Sequence, residues 1–303
     1  MQIVNGVPYL GELAGLLSAC AWGATGIVIR AYLSGVPAVA VNSLRNTTSA
    51  GVFILIWVAF SSRASVSPSA VVLLVASMIV GLVIGDSLYF EALKRIGVAR
   101  AMPISMGYPV MTSLLAAILL GERLTAMSVI GMLATLTGVY LVAMPAAGAA
   151  RALSQQPASG HWSGVAFAAV AAACWSFSAI AVKPALAMTD VVTASVIRAS
   201  LAAMVLWAVT MRRGPVPLGT WFHGRSLRAI AAVGACGVIS TGLFLECVSV
   251  AGAGTAAVLS ATSPIFAVPV SIVFLREGGS WRVVAGTLLS VIGVVMLTAG
   301  GGA

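Results

Sequence analysis

The chain has 303 residues, 60% of them hydrophobic and only 8% charged. Soluble domains carry about 25% charged residues, so this composition excludes an ordinary water-facing domain. Sixteen Lys and Arg against seven Asp and Glu give +9, an excess read here as basic loops beside membrane spans rather than as a nucleic-acid footprint.

Apolar runs recur at about 10–30, 38–60, 69–93, 98–120, 124–144, 162–183, 190–210, 227–250, 254–275 and 281–299. Runs near 20 residues match a hydrocarbon core about 30 Å thick. In lipid each backbone N–H and C=O must be satisfied within the segment or in a closed barrel. The alternation of a barrel strand is absent, and unbroken stretches such as Val71 to Val83 argue helix. The expected fold is therefore an all-α membrane protein with ten transmembrane helices. Connections are short, except Pro145 to Gly160 and Met211 to Ser226. The start of the chain, Met1 to Leu10, lacks the basic n-region of a cleavable leader.

The two halves match. A shift of 153 residues carries Trp22 onto Trp175, Arg30 onto Lys183 and Arg45 onto Arg198. From the third helix on, a shift of 155 carries Glu91 onto Glu246, Gly97 onto Gly252, Ser105 onto Ser260 and Pro109 onto Pro264. It also carries Glu122 onto Glu277, Gly131 onto Gly286 and Gly138 onto Gly293. Trp, Arg, Glu and Pro are scarce here, so these coincidences carry weight. The organisation read from them is a five-helix repeat over 10–145, a linker over 146–161, and a second repeat over 162–299. Five is odd, so equivalent helices cross the bilayer in opposite directions, as in inverted-repeat carriers. Outside Arg45 and Arg198, eleven of the fourteen basic residues fall on the side opposite the N-terminus. The positive-inside rule then puts both termini outside the cytoplasm.

Ala21-Trp22-Gly23 with Arg30, Leu93 to Ala101 with Tyr108-Pro109, and Gly121 to Thr125 with Gly131 and Gly138 resemble the EamA-type transporters of the drug/metabolite transporter superfamily. The second half repeats the pattern less closely, through Trp175, Lys183, Gly252, Pro264, Glu277, Gly286 and Gly293. Arg276 stands where Gly121 does, and Ser249-Val250 where Lys94-Arg95 do. The resemblance implies ten helices, a central cavity, and export or exchange of amino acids, aromatic ones included, or of similar metabolites. It also implies cytoplasmic termini, against the charge count. A bacterial inner membrane is the expected location.

Pro109 and Pro264 are expected to kink spans four and nine, freeing the carbonyls of Ser105 and Ser260 near the midplane. Trp22 and Trp175 lie about 18 Å into their spans at 1.5 Å per residue, too deep for interfacial belts. Tyr89, Tyr108 and Phe244 join them as aromatic wall. Asp86 is a charge within a span and must face the bundle interior or water; it is the candidate for an amine contact or a coupling proton. The expected substrate site is Trp22, Asp86, Tyr89, Ser105, Tyr108, Trp175, Phe244 and Ser260, with freed carbonyls and hydroxyls holding an ammonium. Arg45, Arg198, Glu91, Glu246, Pro109 and Pro264 are assigned gating or structural roles, and Glu122 and Glu277 read as caps or loop ion pairs. Arg45 and Arg198 have three readings: pairing with an acid, binding a substrate carboxylate, or snorkelling. The four cysteines show no metal-like spacing, and the two histidines sit in distant loops. No metal, cofactor or enzyme chemistry is expected. The expected partners are a small-molecule substrate and the lipid bilayer, without nucleic acid; the sequence is silent on oligomeric state. Rival readings are a carrier for another solute, such as a nucleotide-linked sugar, and a channel-like protein.

Overall fold

The computed structural model describes residues 10–60, 66–120, 125–143, 159–212, 224–277 and 280–300. All but the last three residues of the expected 146–161 linker lie outside them, as do Arg63, Gly121, Glu122, Arg123, Arg151, Arg213 and His223. Among the described residues every regular element is a helix. In chain order these are α1 Leu10–Tyr32, α2 Ala38–Phe60, α3 Pro68–Ile96, α4 Val98–Ser105, α5 Tyr108–Leu120 and α6 Ala126–Ala143. The second half holds α7 Ser159–Leu186, α8 Val191–Arg212, α9 Gly224–Ser260, α10 Ser263–Phe274 and α11 Trp281–Gly300. Eight helical stretches are long and apolar enough to cross a membrane.

Two of the expected spans are not among the eight: span four, which is two helices, and span ten, where the apolar stretch Trp281–Met296 is shorter. The turn at Met106-Gly107 separates α4 from α5, and its counterpart at Ala261-Thr262 separates α9 from α10. The prolines thus do not kink helix interiors, as the sequence suggested. Each stands in the first turn of a new helix, where its missing N–H has no partner to lose. Ser260 O, expected to be bare, accepts from Ser263 Oγ at 2.6 Å.

The boundary expected between spans eight and nine falls inside α9, which is helical from Gly224 to Ser260, yet the membrane-length stretches there are separate, Gly224–Ala251 and Ala256–Phe274. The helix is not straight. A Cβ on Gly15 would meet Cys247 Sγ at 3.0 Å and Leu259 Cβ at 2.9 Å. Twelve residues of straight helix span about 18 Å, so the chain turns back between Cys247 and Leu259. One limb runs antiparallel to α1, placing Ala251 by Gly11 and Ser240 O within 2.8 Å of Ser18 Oγ. The other, continued by α10, runs with α1, placing Leu259 by Gly15 and Ala267 by Gly23.

Within α3, Met78–Gly85 forms a π-helix, a wide turn that often marks a functional segment. Gly97, at φ 77°, then ends α3 and lets α4 start at once. The outer faces are apolar and bare: Leu55 and Val58 are each 70% exposed and Phe274 78%. Such a surface suits lipid. The main core gathers around Tyr89, Phe90 and Leu93, all fully buried, with Ile29, Val41 and Met102.

α6 and α11 cross antiparallel at glycine. A Cβ on Gly286 would come within 2.7 Å of Gly138 O, and one on Gly293 within 2.7 Å of Gly131 O. Between them Thr135 Oγ1 donates to Ser290 O and Ser290 Oγ to Thr135 O, both at 3.4 Å. Small residues let backbones approach this closely. Gly138→Ala pushes a methyl to 2.6 Å from Ser290 N and is expected to cost about 1–3 kcal/mol by overpacking. Gly51 has open space around it, so Gly51→Ala should gain about 1 kcal/mol of helix propensity. Thermal unfolding in detergent should therefore move in opposite directions, and equal midpoints would rule out a tight α6–α11 seam.

Candidate functional site

A cavity of about 140 Å³ opens among α1, α2, α3, α5, α7, α8, α9 and α10. Helical spacing sets its walls: Ser18 and Trp22, Ser178 and Val182, and Ser240 and Phe244 are i, i+4 pairs that share a face. Of the eight substrate residues expected from sequence, six line it: Trp22, Asp86, Tyr108, Trp175, Phe244 and Ser260. The other two stand behind the wall. Tyr89 is fully buried, its ring stacked on Trp22 at 5.6 Å and its hydroxyl without a partner. Ser105 is fully buried and its hydroxyl donates to Ala168 O at 3.2 Å.

The duplicated tryptophans meet. Trp22 and Trp175 pack edge to face with ring centroids 5.6 Å apart, and Trp175 also meets Tyr108 edge to face at 6.4 Å. Such pairs add about 0.5–1.5 kcal/mol beyond area burial. Ser176 Oγ donates to Tyr108 O at 2.8 Å.

Both intramembrane arginines, assigned gating or structural roles from sequence, face this cavity. Arg45 is 3% exposed and its Nη2 donates to Asp86 Oδ2 in an ion pair. Its guanidinium also lies over the Trp22 ring, 5.4 Å from the centroid. The other Asp86 oxygen accepts from Trp175 Nε1 at 2.8 Å. Asp86 is thus held from two sides, which is how a buried carboxylate is kept tolerable. Arg198 is 5% exposed and donates through Nη2 to Ser178 Oγ at 3.2 Å. It lies within electrostatic reach of Asp86 and Arg45 but has no acid of its own. Arg45 Nε, Arg198 Nε and Trp22 Nε1 are buried without hydrogen-bond partners.

The remaining expected residues lie elsewhere. Glu91 pairs with Arg95 at 2.9 Å on an exposed face of α3. Glu246 is half-buried on α9 and, with Pro109 and Pro264, is absent from the cavity wall. Glu277 does more than cap its own loop. Its Oε1 accepts from Arg30 Nε at 3.2 Å and Val98 N at 3.1 Å, and its Oε2 from Ala99 N at 2.9 Å. A carboxylate of the second half thereby caps α4 of the first, at the helix end where negative charge is favoured. Arg30 Nη1 also donates to Lys94 O at 2.7 Å. Ser18, Ser178, Ser240, Thr241 and Ser263 line the cavity without having been singled out. The 155-residue shift that pairs the other residues from the third helix on carries Asp86 onto Thr241.

The model of the EamA-like transporter family matches residues 9–144 and 162–299. An uncharacterized transporter of Archaeoglobus fulgidus is 26% identical over 287 residues, spanning 94% of this chain and 96% of its own. A solved crystal structure superposes with a TM-score of 0.66 over 96% of this chain and 97% of that one. At 20% identity it is similar in fold alone.

Proposed function

The chain belongs to the EamA-like transporter family and is a multi-pass membrane protein for transport of small solutes; on that premise we propose that it is a secondary carrier exporting amino acids, aromatic ones among them, by alternating access. The ten segments act as two inverted five-helix repeats, 10–145 and 162–299, joined by the 146–161 linker, in a cell's inner membrane. The observation that carries this reading is the cavity itself. Its wall comes from both halves, and Trp22 meets its own counterpart Trp175 across it.

The α6–α11 seam supports the inverted arrangement. The shift of 155 turns Gly138 into Gly293 and Gly286 into Gly131, so the contact Gly138·Gly286 maps onto Gly131·Gly293. Both are present. Thr135 and Ser290 map onto each other and exchange hydrogen bonds. A two-fold axis relating antiparallel halves generates such reciprocal pairs.

With alternating helix directions, the lining residues Ser18, Val182, Phe244 and Ser260 lean toward the side where the chain begins. Toward the other side the path is shut by Tyr89, Phe90 and Leu93, and beyond them by Glu277 on Arg30 and α4. About 140 Å³ is small beside the roughly 300–1,000 Å³ of drug-sized sites, which favours amino-acid-sized solutes over nucleotide-linked sugars. Asp86 is the residue on which a coupling proton would ride, since protonation there removes the charge that holds Arg45.

Purified protein in liposomes, loaded with radiolabelled phenylalanine, tests this. Expected is saturable efflux, competed by unlabelled tryptophan and altered by an imposed pH gradient. Linear, non-competable flux would replace the carrier with a channel. Flux indifferent to the gradient would remove the proton.

A further inference from the structure

The two halves of the cavity differ in one charge. In the first, Asp86 receives Arg45 Nη2 from α2 and Trp175 Nε1 from α7. The internal shift carries Arg45 onto Arg198 and Trp175 back onto Trp22. It carries Asp86 onto Thr241, which also lines the cavity. The second half therefore keeps both donors and lacks the acceptor. The structure bears this out atom by atom. Trp22 Nε1 is buried and unpartnered where Trp175 Nε1 has a carboxylate 2.8 Å away. Arg198, 5% exposed, has only the Ser178 hydroxyl where its counterpart Arg45 has an ion pair.

A buried guanidinium without an acid and a buried indole N–H without an acceptor are both costly. They mark a place built for a negative group that is not part of this chain. Resting on the carrier reading of the cavity, we propose that the transported solute is recognised by its carboxylate, which takes the position of the missing acid between Arg198, Trp22 and Thr241. Arg198 binds the anion through its fork of donors, Trp22 Nε1 supplies the donation that Trp175 gives Asp86, and the Thr241 hydroxyl completes the set. The apolar body of the solute lies against Trp175, Phe244 and Tyr108. Asp86 is the one acid among the described residues lining the cavity, and an ammonium there would compete with Arg45 and Trp175, from which its two oxygens already accept. The substrate class is thus the small organic carboxylate with an apolar or aromatic body. An amino acid qualifies through its carboxylate, and its amine is dispensable.

Binding to the full-length protein in detergent, followed by tryptophan fluorescence, separates this from the transport reading. The probes are phenylalanine, phenylacetate and 2-phenylethylamine. Phenylacetate is expected to bind and to displace phenylalanine, while 2-phenylethylamine does neither. Arg198→Gln should weaken phenylacetate binding roughly 10- to 100-fold, the worth of a charged hydrogen-bonded contact. Thr241→Asp installs the missing acid, satisfies Arg198 and Trp22 from within, and should abolish binding while raising the melting temperature. That second sign guards against a variant that merely fails to fold. Amine binding equal to acid binding, or unchanged affinity in folded Thr241→Asp, overturns the proposal and leaves transport standing. Carboxylate binding without flux in liposomes supports the proposal and removes transport.

Discussion

Asp86→Asn is expected to destabilise the protein by about 3–5 kcal/mol and to abolish flux. The pair it breaks is nearly sealed from solvent, with the Arg45 side chain 3% exposed and that of Asp86 7%. Removing one partner of a buried pair leaves an uncompensated charge, and the loss is of that size. Here it is compounded, because Arg198 lies near the same acid. The neutral amide would leave two guanidinium groups facing one cavity. Replacing both partners, as Arg45→Met with Asp86→Leu, should recover most of the stability, since apolar substitutes for a buried pair are often neutral or better. It should not recover transport. Thermal unfolding of the two single variants and the double variant forms a cycle that isolates the coupling. Single variants melting with the wild type would mean that the pair is solvated.

Glu277→Ala is expected to cost about 2–4 kcal/mol and to open the sealed end. Two backbone N–H groups of α4 and the Arg30 guanidinium converge on this one carboxylate. Hydrogen bonds to a charged group are worth about 1.5–3 kcal/mol each, and their losses overlap. The donors belong to the first half of the chain and the acceptor to the second, so movement of one half against the other must break this contact. Its removal shifts the population toward the state in which it is absent. In a variant lacking the native cysteines, Leu93→Cys reports the change. Leu93 is fully buried now, so an impermeant thiol reagent should label it slowly, and several times faster once Glu277 is alanine. Identical labelling rates would show that Glu277 braces α4 and nothing more.

Much of this was legible in the sequence because rare residues recur at fixed shifts. Trp22 with Trp175 and Arg45 with Arg198 stand out against an apolar background, and they do meet the same cavity. Tyr89 was misplaced for a physical reason. It lies three residues beyond Asp86 on one helix, and that spacing alone does not separate the cavity face from the layer behind it. The helix breaks were shifted because a proline marks where a helix cannot have its N–H bonded, which is satisfied as well by a start as by a kink. Glu277 looked like a local cap; that its donors lie in α4, 179 residues away along the chain, is a fact of tertiary packing. The solitary state of Arg198 was hidden in plain view, since it is the absence of an acid at position 241 rather than the presence of anything.

The reciprocal packing of α6 and α11 has a mechanical corollary. If the halves trade shapes during turnover, most interfaces between them must be rebuilt on the far side. An interface that the trade maps onto itself is exempt. Thr135 and Ser290 hold each other in the same way before and after, and the bare glycine backbones beside them slide nowhere. On that condition the crossing is the stationary post about which the remainder of the bundle rocks.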